Sequence, residues 1–485
     1  MSSTEAPGAT VPLMSKHALF MGTFVHSKAL DELEYLHDTC VAVSAPEGII
    51  AAIEKGIEGS ADDVKSTMVK KLGWNDAVEV TDHRSSGKEG WFFPGFVDTH
   101  IHAPQYPNSG LFGKTTLLDW LNTYTFPAEE SIGRDQVLAN RVYSRVVQQT
   151  LSHGTTTASY YATISVEATN LLSLICLSQG QRAFIGRVCM DTELSPSTYR
   201  DLSAEDSIEA SVLSAEFCGK IDPARKALVP ILTPRFAPSC TPKLLSMLGD
   251  LARERDLPIQ THISENPSEV ALVASVFPGS RDYADVYDAA NLLTPKTVLA
   301  HCVHLTPRER RTVLARGCGV SHCPASNSSI TSGECPVRSL LDDGISKIGL
   351  GTDVSGGFSP SVLVSARQAL LVSRHVAMKT GNDADKLSVE EVLYLATRGG
   401  AEVMALGSSA GSFEVGKSWD AQFVRVGSVN ASGTGSSDAG EHATGPVDLF
   451  GTETWEEVLQ KWLFTGDDRN TRSVWARGRL VHRKK

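Results

Sequence analysis

Short apolar runs alternate with amphipathic stretches between residues 95 and 351, and this alternation constrains the fold more than any other feature. Stretches such as residues 136–149, 243–254 and 362–377 carry apolar residues at helical spacing. The pattern predicts parallel strands connected by helices. Eight strands would close a (β/α)8 barrel, although an open doubly wound sheet would give the same local signals. The eight strand candidates are residues 95–100, 155–160, 183–189, 227–232, 258–262, 297–301, 318–322 and 347–351.

Both ends of the chain carry short β-like stretches instead. They lie at residues 18–25, 40–43, 49–53 and 78–81 before the alternating region, and at 421–426 and 473–481 after it. Residues 427–448 are rich in Ser, Gly, Ala and Thr, which predicts a flexible insertion. We therefore predict an α/β protein with a TIM-type barrel over residues 94–405 and a small β-sandwich domain formed by residues 1–93 and 406–485.

Composition excludes several classes of protein. A hydrophobic content of 41% with 21% charged residues is that of a folded chain. The formal net charge of −11 argues against nucleic acid and anionic membranes as partners, and no segment approaches the roughly 18 apolar residues of a membrane span. The nine cysteines include no Cys-x-x-Cys pair, which favours reduced thiols and a cytoplasmic location.

Candidate metal ligands follow the ends of several predicted strands. His100 and His102 stand two positions apart on one strand, so both rings can face the same metal. Such a pair is by itself more often structural. However, His262, His301 and Asp353 follow three further strands, and barrels place their active sites at that rim. Together the five residues predict a metal-dependent active site.

Glu265 lies three residues after His262 and is the candidate for proton transfer. The alternative is a glutamate that only stabilises the start of a helix. Rival motifs are absent from the sequence: there is no His-Glu-x-x-His, no P-loop and no dinucleotide-binding glycine pattern.

Several segments resemble the amidohydrolase superfamily, and within it the members that hydrolyse guanine. The more specific segments are PGFVDTHIHAPQY, which begins at residue 94 on the first predicted strand, and TPRF, which begins at residue 233. Another close match is WLNTYTFPAE, which begins at residue 120. More widely shared are the segments THISEN, AHC, HCPASN and GLGTDV, which begin at residues 261, 300, 322 and 349.

The resemblance implies one zinc ion per chain. Its ligands would be His100, His102, His262 and Asp353, with Glu265, His301 and Asp353 as catalytic residues. His301 would hold the attacking water or the tetrahedral intermediate. Binuclear relatives use a lysine at the rim of the fourth strand, and this chain has none there. The substrate would contact Gln105, Arg235, Phe236, His262, Glu265 and Asp353.

The implied reaction is the hydrolysis of guanine to xanthine and ammonia in the cytosol, by a homodimer. Zinc-bound hydroxide would attack C2 while Glu265 protonates N3. One alternative is a related aminohydrolase that acts on cytosine, an adenine derivative, a pterin or a triazine. Another is a barrel relative that has lost catalysis and serves as a binding protein.

Overall fold

The computed structural model describes residues 14–75, 77–430 and 445–484. Within these residues the chain forms twenty strands. They are β1 (His17–Ala29), β2 (Glu32–Ser44), β3 (Ile49–Glu54), β4 (Val78–Asp82), β5 (Gly90–Pro94), β6 (Phe96–His102), β7 (Thr155–Tyr161), β8 (Arg182–Gly186), β9 (Val188–Cys189), β10 (Leu228–Pro230), β11 (Thr233–Pro234), β12 (Ile259–Ile263), β13 (Thr297–His301), β14 (Gly319–His322), β15 (Ile348–Leu350), β16 (Ala421–Arg425), β17 (Gly427–Ser428), β18 (Asp448–Leu449), β19 (Thr471–Ala476) and β20 (Arg479–Arg483).

The same residues form sixteen α-helices, none of them long and apolar enough to cross a membrane. They are α1 (Ala61–Leu72), α2 (Leu117–Trp120), α3 (Phe126–Arg134), α4 (Gln136–Ser152), α5 (Val166–Gln179), α6 (Ala204–Ile221), α7 (Pro242–Arg255), α8 (Pro267–Val276), α9 (Tyr283–Ala289), α10 (Pro307–Arg316), α11 (Pro324–Ser329), α12 (Val337–Asp342), α13 (Val362–Thr380), α14 (Val389–Tyr394), α15 (Gly400–Val403) and α16 (Trp455–Thr465). Short 3-10 or π turns lie at Arg84–Glu89, Ala103–Asn108, Leu121–Thr125, Ala237–Ser239, Asp383–Asp385 and Leu395–Gly399.

The central strands are parallel and form two four-stranded sheets, in the orders β10-β8-β7-β6 and β12-β13-β14-β15. A parallel bridge between Leu232 and Ile259 connects the two sheets on one side. On the other side, the Asp353 amide donates to the His100 carbonyl (2.8 Å) and the His102 amide donates to the Val354 carbonyl (3.0 Å). Every residue of β6, β7, β8, β13 and β14 is buried, as expected for parallel strands covered on both faces.

Proline and a capping side chain mark the start of several crossover helices. Thr241, Asn266 and Thr306 each precede a proline at the first helical position and accept a hydrogen bond from the backbone of the first turn. Proline fits this position because its missing N–H would have no partner within the helix. These signals begin helices directly after the central strands, which returns the chain to the start of the next strand.

The two ends of the chain share one eight-stranded sheet of order β20-β19-β16-β5-β1-β2-β3, with β4 beside β1. Strands β5 and β16 pair antiparallel, which joins the N-terminal and C-terminal segments. The rings of Phe20 on β1 and Trp475 on β19 lie 5.2 Å apart although two strands separate β1 from β19. The sheet is therefore strongly curled around an aromatic core.

Some elements differ from the sequence-based prediction. Residues 473–481, predicted as one stretch, form two strands, because Arg477 and Gly478 both adopt positive φ (49° and 76°) and make a tight hairpin turn. Helices α1 and α16 lie between predicted β stretches, in segments where no helix was predicted. Residues 431–444 of the predicted insertion lie outside the described residues. In the parts that flank them, β17 pairs with β18.

Helix α16 joins the outer sheet to the first central strand through Trp462. This ring lies 5.7 Å from Trp91, 5.2 Å from Phe93 and 6.1 Å from Phe96. Trp91 and Phe93 belong to the outer sheet, and Phe96 begins β6. One buried indole thus connects the two parts of the fold.

We expect Trp462→Ala to lower the free energy of unfolding by about 3–5 kcal/mol, because it leaves a large cavity in a core that two sheets share. Denaturant unfolding followed by fluorescence measures the change. The control is Phe464→Ala on the same helix, where the side chain is 37% exposed; there we expect a change near 0.5 kcal/mol. Equal effects of the two substitutions would contradict this role of Trp462.

Candidate active site

Five of the residues predicted to form the site meet where the central strands end. His100 and His102 are in the last three residues of β6, His262 is the penultimate residue of β12, and His301 is the last residue of β13. Asp353 lies three residues beyond β15. The carboxyl ends of parallel strands share one edge, so residues far apart in the chain converge there.

The distances between these side chains fit a metal site. Asp353 Oδ1 lies 3.2 Å from His100 Nε2 and 3.4 Å from His102 Nε2, and the Nε2 atoms of His102 and His262 are 3.2 Å apart. Ligands at about 2.1 Å from a tetrahedral metal are separated by about 3.4 Å. His301 Nε2 is 3.8 Å from Asp353 Oδ2 and can also reach this centre.

Burial favours the neutral imidazoles that a metal requires. Burial, reinforced by the neighbouring histidines, lowers the pKa of His102 and His262 well below the usual value. Burial also lowers the pKa of His100. Among the described residues, both ring nitrogens of His100 and Nε2 of His301 have no hydrogen-bond partner. Orphaned buried nitrogens are costly, and a bound metal would satisfy them.

One backbone contact and one side-chain contact orient two of the rings. His262 Nδ1 lies 2.5 Å from the Arg235 carbonyl oxygen, and His301 Nδ1 lies 2.8 Å from Asn327 Oδ1. In each ring the opposite nitrogen, Nε2, is then presented to the centre. Such contacts to the far nitrogen are typical of metal-binding histidines.

Unusual backbone conformations occur at three of these strand ends. Ser264, His301, Cys302 and Asp353 have φ values of 50°, 74°, 54° and 46°. Non-glycine residues rarely adopt positive φ, and such residues concentrate at functional sites where the surrounding structure enforces them. Here the chain turns sharply at the sheet edge, with the side chains of His301 and Asp353 directed into the cluster.

Glu265 lies beside the cluster and is buried. Its Oε2 atom is 3.5 Å from His301 Nε2, while Oε1 accepts a hydrogen bond from the Ser332 hydroxyl at 2.9 Å. Burial raises the pKa of Glu265 to about 7, although the neighbouring His301 opposes the shift. A carboxyl group with a pKa near neutrality can both donate and accept a proton at neutral pH.

The carboxyl of Asp353 is tuned in the opposite direction. Burial tends to raise its pKa, but the electrostatic interaction with the His100 ring, whose Nε2 atom lies 3.2 Å from Oδ1, outweighs burial and the pKa falls to about 2. Asp353 is therefore ionised, whereas Glu265 can be neutral. Two carboxyl groups in one site with separated pKa values are suited to different roles.

A cavity opens beside the cluster. His102, His262, His301, Glu265 and Asp353 line one side of it, and Gln105, Arg235 and Phe236 line another. Its remaining wall includes apolar side chains, namely Leu117, Trp120, Leu121 and Ile330. Its mixture of apolar walls with a few polar groups is typical of a small-molecule site.

Three of the six candidate substrate-binding residues, Gln105, Arg235 and Phe236, differ in their surroundings. Gln105 Nε2 donates to Glu129 Oε1 at 2.7 Å, and the Ser355 amide donates to Gln105 Oε1 at 3.3 Å. The Arg235 guanidinium forms an ion pair with Glu129 at 2.7 Å. Phe236 packs among the buried apolar residues that surround the cavity. Arg235 therefore forms a salt bridge and also lines the cavity.

Two buried residues contribute to the site without having been singled out from the sequence. Glu129 binds both Gln105 and Arg235, and Asp98 accepts hydrogen bonds from the Thr352 amide (3.0 Å) and hydroxyl (2.5 Å). Asp98 lies in the first-strand segment and Glu129 is the last residue of the WLNTYTFPAE segment, so both residues belong to segments that carry the family resemblance. Their partners come from distant parts of the chain, and one sequence carries no signal of such pairing.

Known proteins share this chain's sequence and fold over nearly its full length. The model of the amidohydrolase family matches residues 91–481. The probable guanine deaminase of Schizosaccharomyces pombe is 47% identical over 464 residues, which cover 96% of this chain and 83% of that protein. The guanine deaminase of Homo sapiens is 39% identical, with 96% of each chain covered. A crystal structure of guanine deaminase from C. acetobutylicum with bound guanine matches 96% of this chain and all of that chain, at a TM-score of 0.81 and 28% identity.

We expect His262→Ala to lower the affinity for a divalent metal by more than about tenfold, because it removes one nitrogen from the cluster. Metal content after dialysis, measured by mass spectrometry, checks this. His375→Ala is the control, since this ring is more than half exposed and lies outside the cluster. Unchanged metal content in the His262 variant would show that the metal lies elsewhere.

Proposed function

The chain belongs to the amidohydrolase family, and we propose that it catalyses the hydrolysis of guanine to xanthine and ammonia. The observation that carries this proposal is its likeness over 96% of its length to guanine deaminases, at 47% and 39% identity. The cavity beside the histidine and aspartate cluster supplies a site of suitable chemistry. The other aminohydrolase substrates remain alternatives that a substrate panel separates.

We propose that one zinc ion per chain is held by His100, His102, His262 and Asp353. Three imidazole nitrogens and one carboxylate oxygen form a donor set that suits zinc, and the mutual distances fit tetrahedral coordination. When bound, zinc supplies the Lewis acidity that lowers the pKa of water towards neutrality. The absence of a lysine at the rim of the fourth strand favours a single ion.

The two carboxyl groups divide the proton transfers between them. Asp353 is ionised and accepts a proton from the attacking water. Neutral Glu265 donates its proton to N3 of the base as the water oxygen bonds to C2, so that no unfavourable ring anion forms. Asp353 then gives its proton to the amino group as the bond from C2 to this nitrogen breaks, so that ammonia leaves and Asp353 is ionised again. The C2 hydroxyl loses its proton to the Glu265 carboxylate as the C2 carbonyl forms, which returns Glu265 to its neutral state. Water and guanine thereby yield xanthine and ammonia.

His301 supports both carboxyl groups, because its Nε2 atom lies 3.5 Å from Glu265 and 3.8 Å from Asp353. Burial tends to lower the pKa of His301, but the charges of Glu265 and Asp353 outweigh it and the pKa is raised. We propose that this ring donates a hydrogen bond to the oxygen that attacks C2, with Asn327 holding its far nitrogen.

We propose that Gln105, Arg235 and Phe236 recognise the base, together with His262, Glu265 and Asp353. Gln105 and Arg235 provide N–H donors for a carbonyl oxygen or a ring nitrogen, and Phe236 provides an apolar ring beside them. The apolar side chains in the cavity wall exclude water from the face of the base.

We further propose that the central strands close into a (β/α)8 barrel over residues 94–405. The hydrogen bonds between the ends of β6 and β15 support closure. Residues 1–93 and 406–485 would form a small β-sandwich domain, which the curled outer sheet supports. All nine cysteines are free, which agrees with a cytosolic location. A homodimer is proposed from the resemblance alone, and sedimentation of the purified protein tests it.

The direct experiment measures metal content and ammonia release with guanine, using cytosine, adenine and a pterin as comparators. We expect about one zinc per chain and a strong preference for guanine. If the protein contains zinc but prefers another base, the proposed chemistry is kept and the binding residues are reassigned. The absence of both zinc and ammonia release would favour a binding protein that has lost catalysis.

We expect Glu265→Gln to retain the metal and to lower kcat by about 10²–10⁴, because an amide cannot transfer the proton to N3. Steady-state ammonia release and metal analysis on the same sample test both parts. Glu254→Gln on the exposed face of α7 is the matched control. Turnover near the level of the unmodified protein would remove Glu265 from proton transfer.

We expect Arg235→Ala to weaken guanine turnover while zinc content stays within about twofold, because the loss of a charged donor costs about 1.5–3 kcal/mol of binding. The kcat/KM for guanine, compared with metal content, measures the difference. A parallel fall in both quantities would indicate that Arg235 supports the cluster instead of the base.

A further inference from the structure

Glu129 is completely buried beside the cavity and stands at the centre of a group of donors. Arg235 donates to it from both terminal nitrogens, at 2.7 and 3.0 Å. Gln105 Nε2 donates at 2.7 Å and the Tyr199 hydroxyl at 2.8 Å. Four donors thus meet two carboxylate oxygens, which is the environment of an ionised carboxylate whose acceptor sites are satisfied.

Glu129 also balances the charge of this part of the cavity. Arg235 is only 2% exposed, and an unpaired buried guanidinium would be costly. In the described part of the chain Glu129 is the only carboxylate in an ion pair with Arg235. The ring of Phe126 faces the guanidinium carbon at 5.3 Å and adds a weaker contact. Arg235 and Glu129 together therefore present a pair with no net charge to the ligand.

The same contacts leave donors available for the ligand. Glu129 occupies two of the five N–H donors of Arg235 and one of the two on the Gln105 amide. In the described residues, the side chains of Arg235 and Gln105 donate hydrogen bonds to no other acceptor, and both side chains line the cavity. Their free donors are held in fixed directions, while the positive charge behind them is already neutralised.

We infer that Glu129 is a positioning residue that makes this cavity selective for an uncharged oxopurine over an anionic one. It holds Gln105 and Arg235 as hydrogen-bond donors and cancels the charge that would otherwise attract anions. This inference rests on the proposed function, because it assigns Gln105 and Arg235 to binding of the base. It assigns the discrimination between charges to a residue that acts through Gln105 and Arg235 and does not itself line the cavity.

Helix α3 brings Glu129 to this position. The chain between β6 and α3 also supplies Leu117, Trp120 and Leu121 to the cavity wall. Tyr199, which precedes α6, also donates a hydrogen bond to Oε2 of Glu129. Donors from three separate segments of the chain thus hold the carboxylate.

The test compares two ligands by calorimetry in the metal-loaded protein: hypoxanthine, a neutral oxopurine without the leaving amino group, and urate, an anion at neutral pH. We expect the unmodified protein to prefer hypoxanthine, and Glu129→Gln to reduce this preference by about tenfold or more, since hydrogen bonds to charged groups are worth about 1.5–3 kcal/mol. Kinetics should show a higher KM for guanine with a much smaller change in kcat. An equal loss of affinity for both ligands would indicate a merely structural role and overturn the inference.

Glu130→Gln is the matched control, because Glu130 is the next residue on α3 and pairs with Arg134 away from the cavity. If Glu129→Gln does not fold, Glu129→Asp replaces it. This variant keeps the charge but shortens the side chain, so both ligands should bind less tightly at an unchanged preference. If the aspartate variant binds both ligands as tightly as the unmodified protein does, the positioning role is overturned. Failure of the proposed function is recognised separately, as absence of ammonia release from guanine by the unmodified protein.

Discussion

The hydrogen bonds that join the end of the last central strand to the first determine the rest of the site. Asp353 donates its amide to the His100 carbonyl, and Thr352 donates its amide and its hydroxyl to the buried Asp98 carboxylate. These bonds connect residues about 250 positions apart and place a carboxylate against two histidines of β6. Without this contact between the two strands, the histidines would lack their acidic partner.

Burial without hydrogen-bond partners is the second constraint on this site. Several ring nitrogens are hidden from water with no protein acceptor or donor, which costs free energy unless a ligand compensates. The same burial separates the two carboxyl groups: Glu265 has a pKa near 7, whereas the neighbouring His100 keeps Asp353 ionised. One low-dielectric environment thereby yields two carboxyl groups suited to the proposed roles of proton donor and proton acceptor. Farther along the cavity, Glu129 and Arg235 compensate each other's charge, so that the wall proposed to bind the base carries donors without net charge.

Much of the order of strands and helices could be predicted because it follows from local sequence patterns. The central strands lie where the apolar runs placed them, within a few residues at each end, and the helices at residues 136, 243 and 362 begin within one residue of the prediction. The hairpin at Arg477 and Gly478 was missed because its turn depends on positive φ at an arginine, which composition does not reveal. Helix α16 was not predicted, because its residues, among them Trp462, lie in a C-terminal segment in which the sequence pattern indicated only short β stretches.

The sequence by itself determined most of the order of strands and helices, the candidate ligands and the candidate for proton transfer, because spacing and residue type are local properties. Tertiary structure alone decided which polar groups face one another. The hydrogen bonds of Glu129 with Gln105 and Arg235 connect three separate segments of the chain. The hydrogen bond from Thr352 to Asp98 connects the first central strand to the end of the last central strand. Such pairs form only when the sheet brings its strand ends to one edge, and their distances depend on the packing of the whole chain.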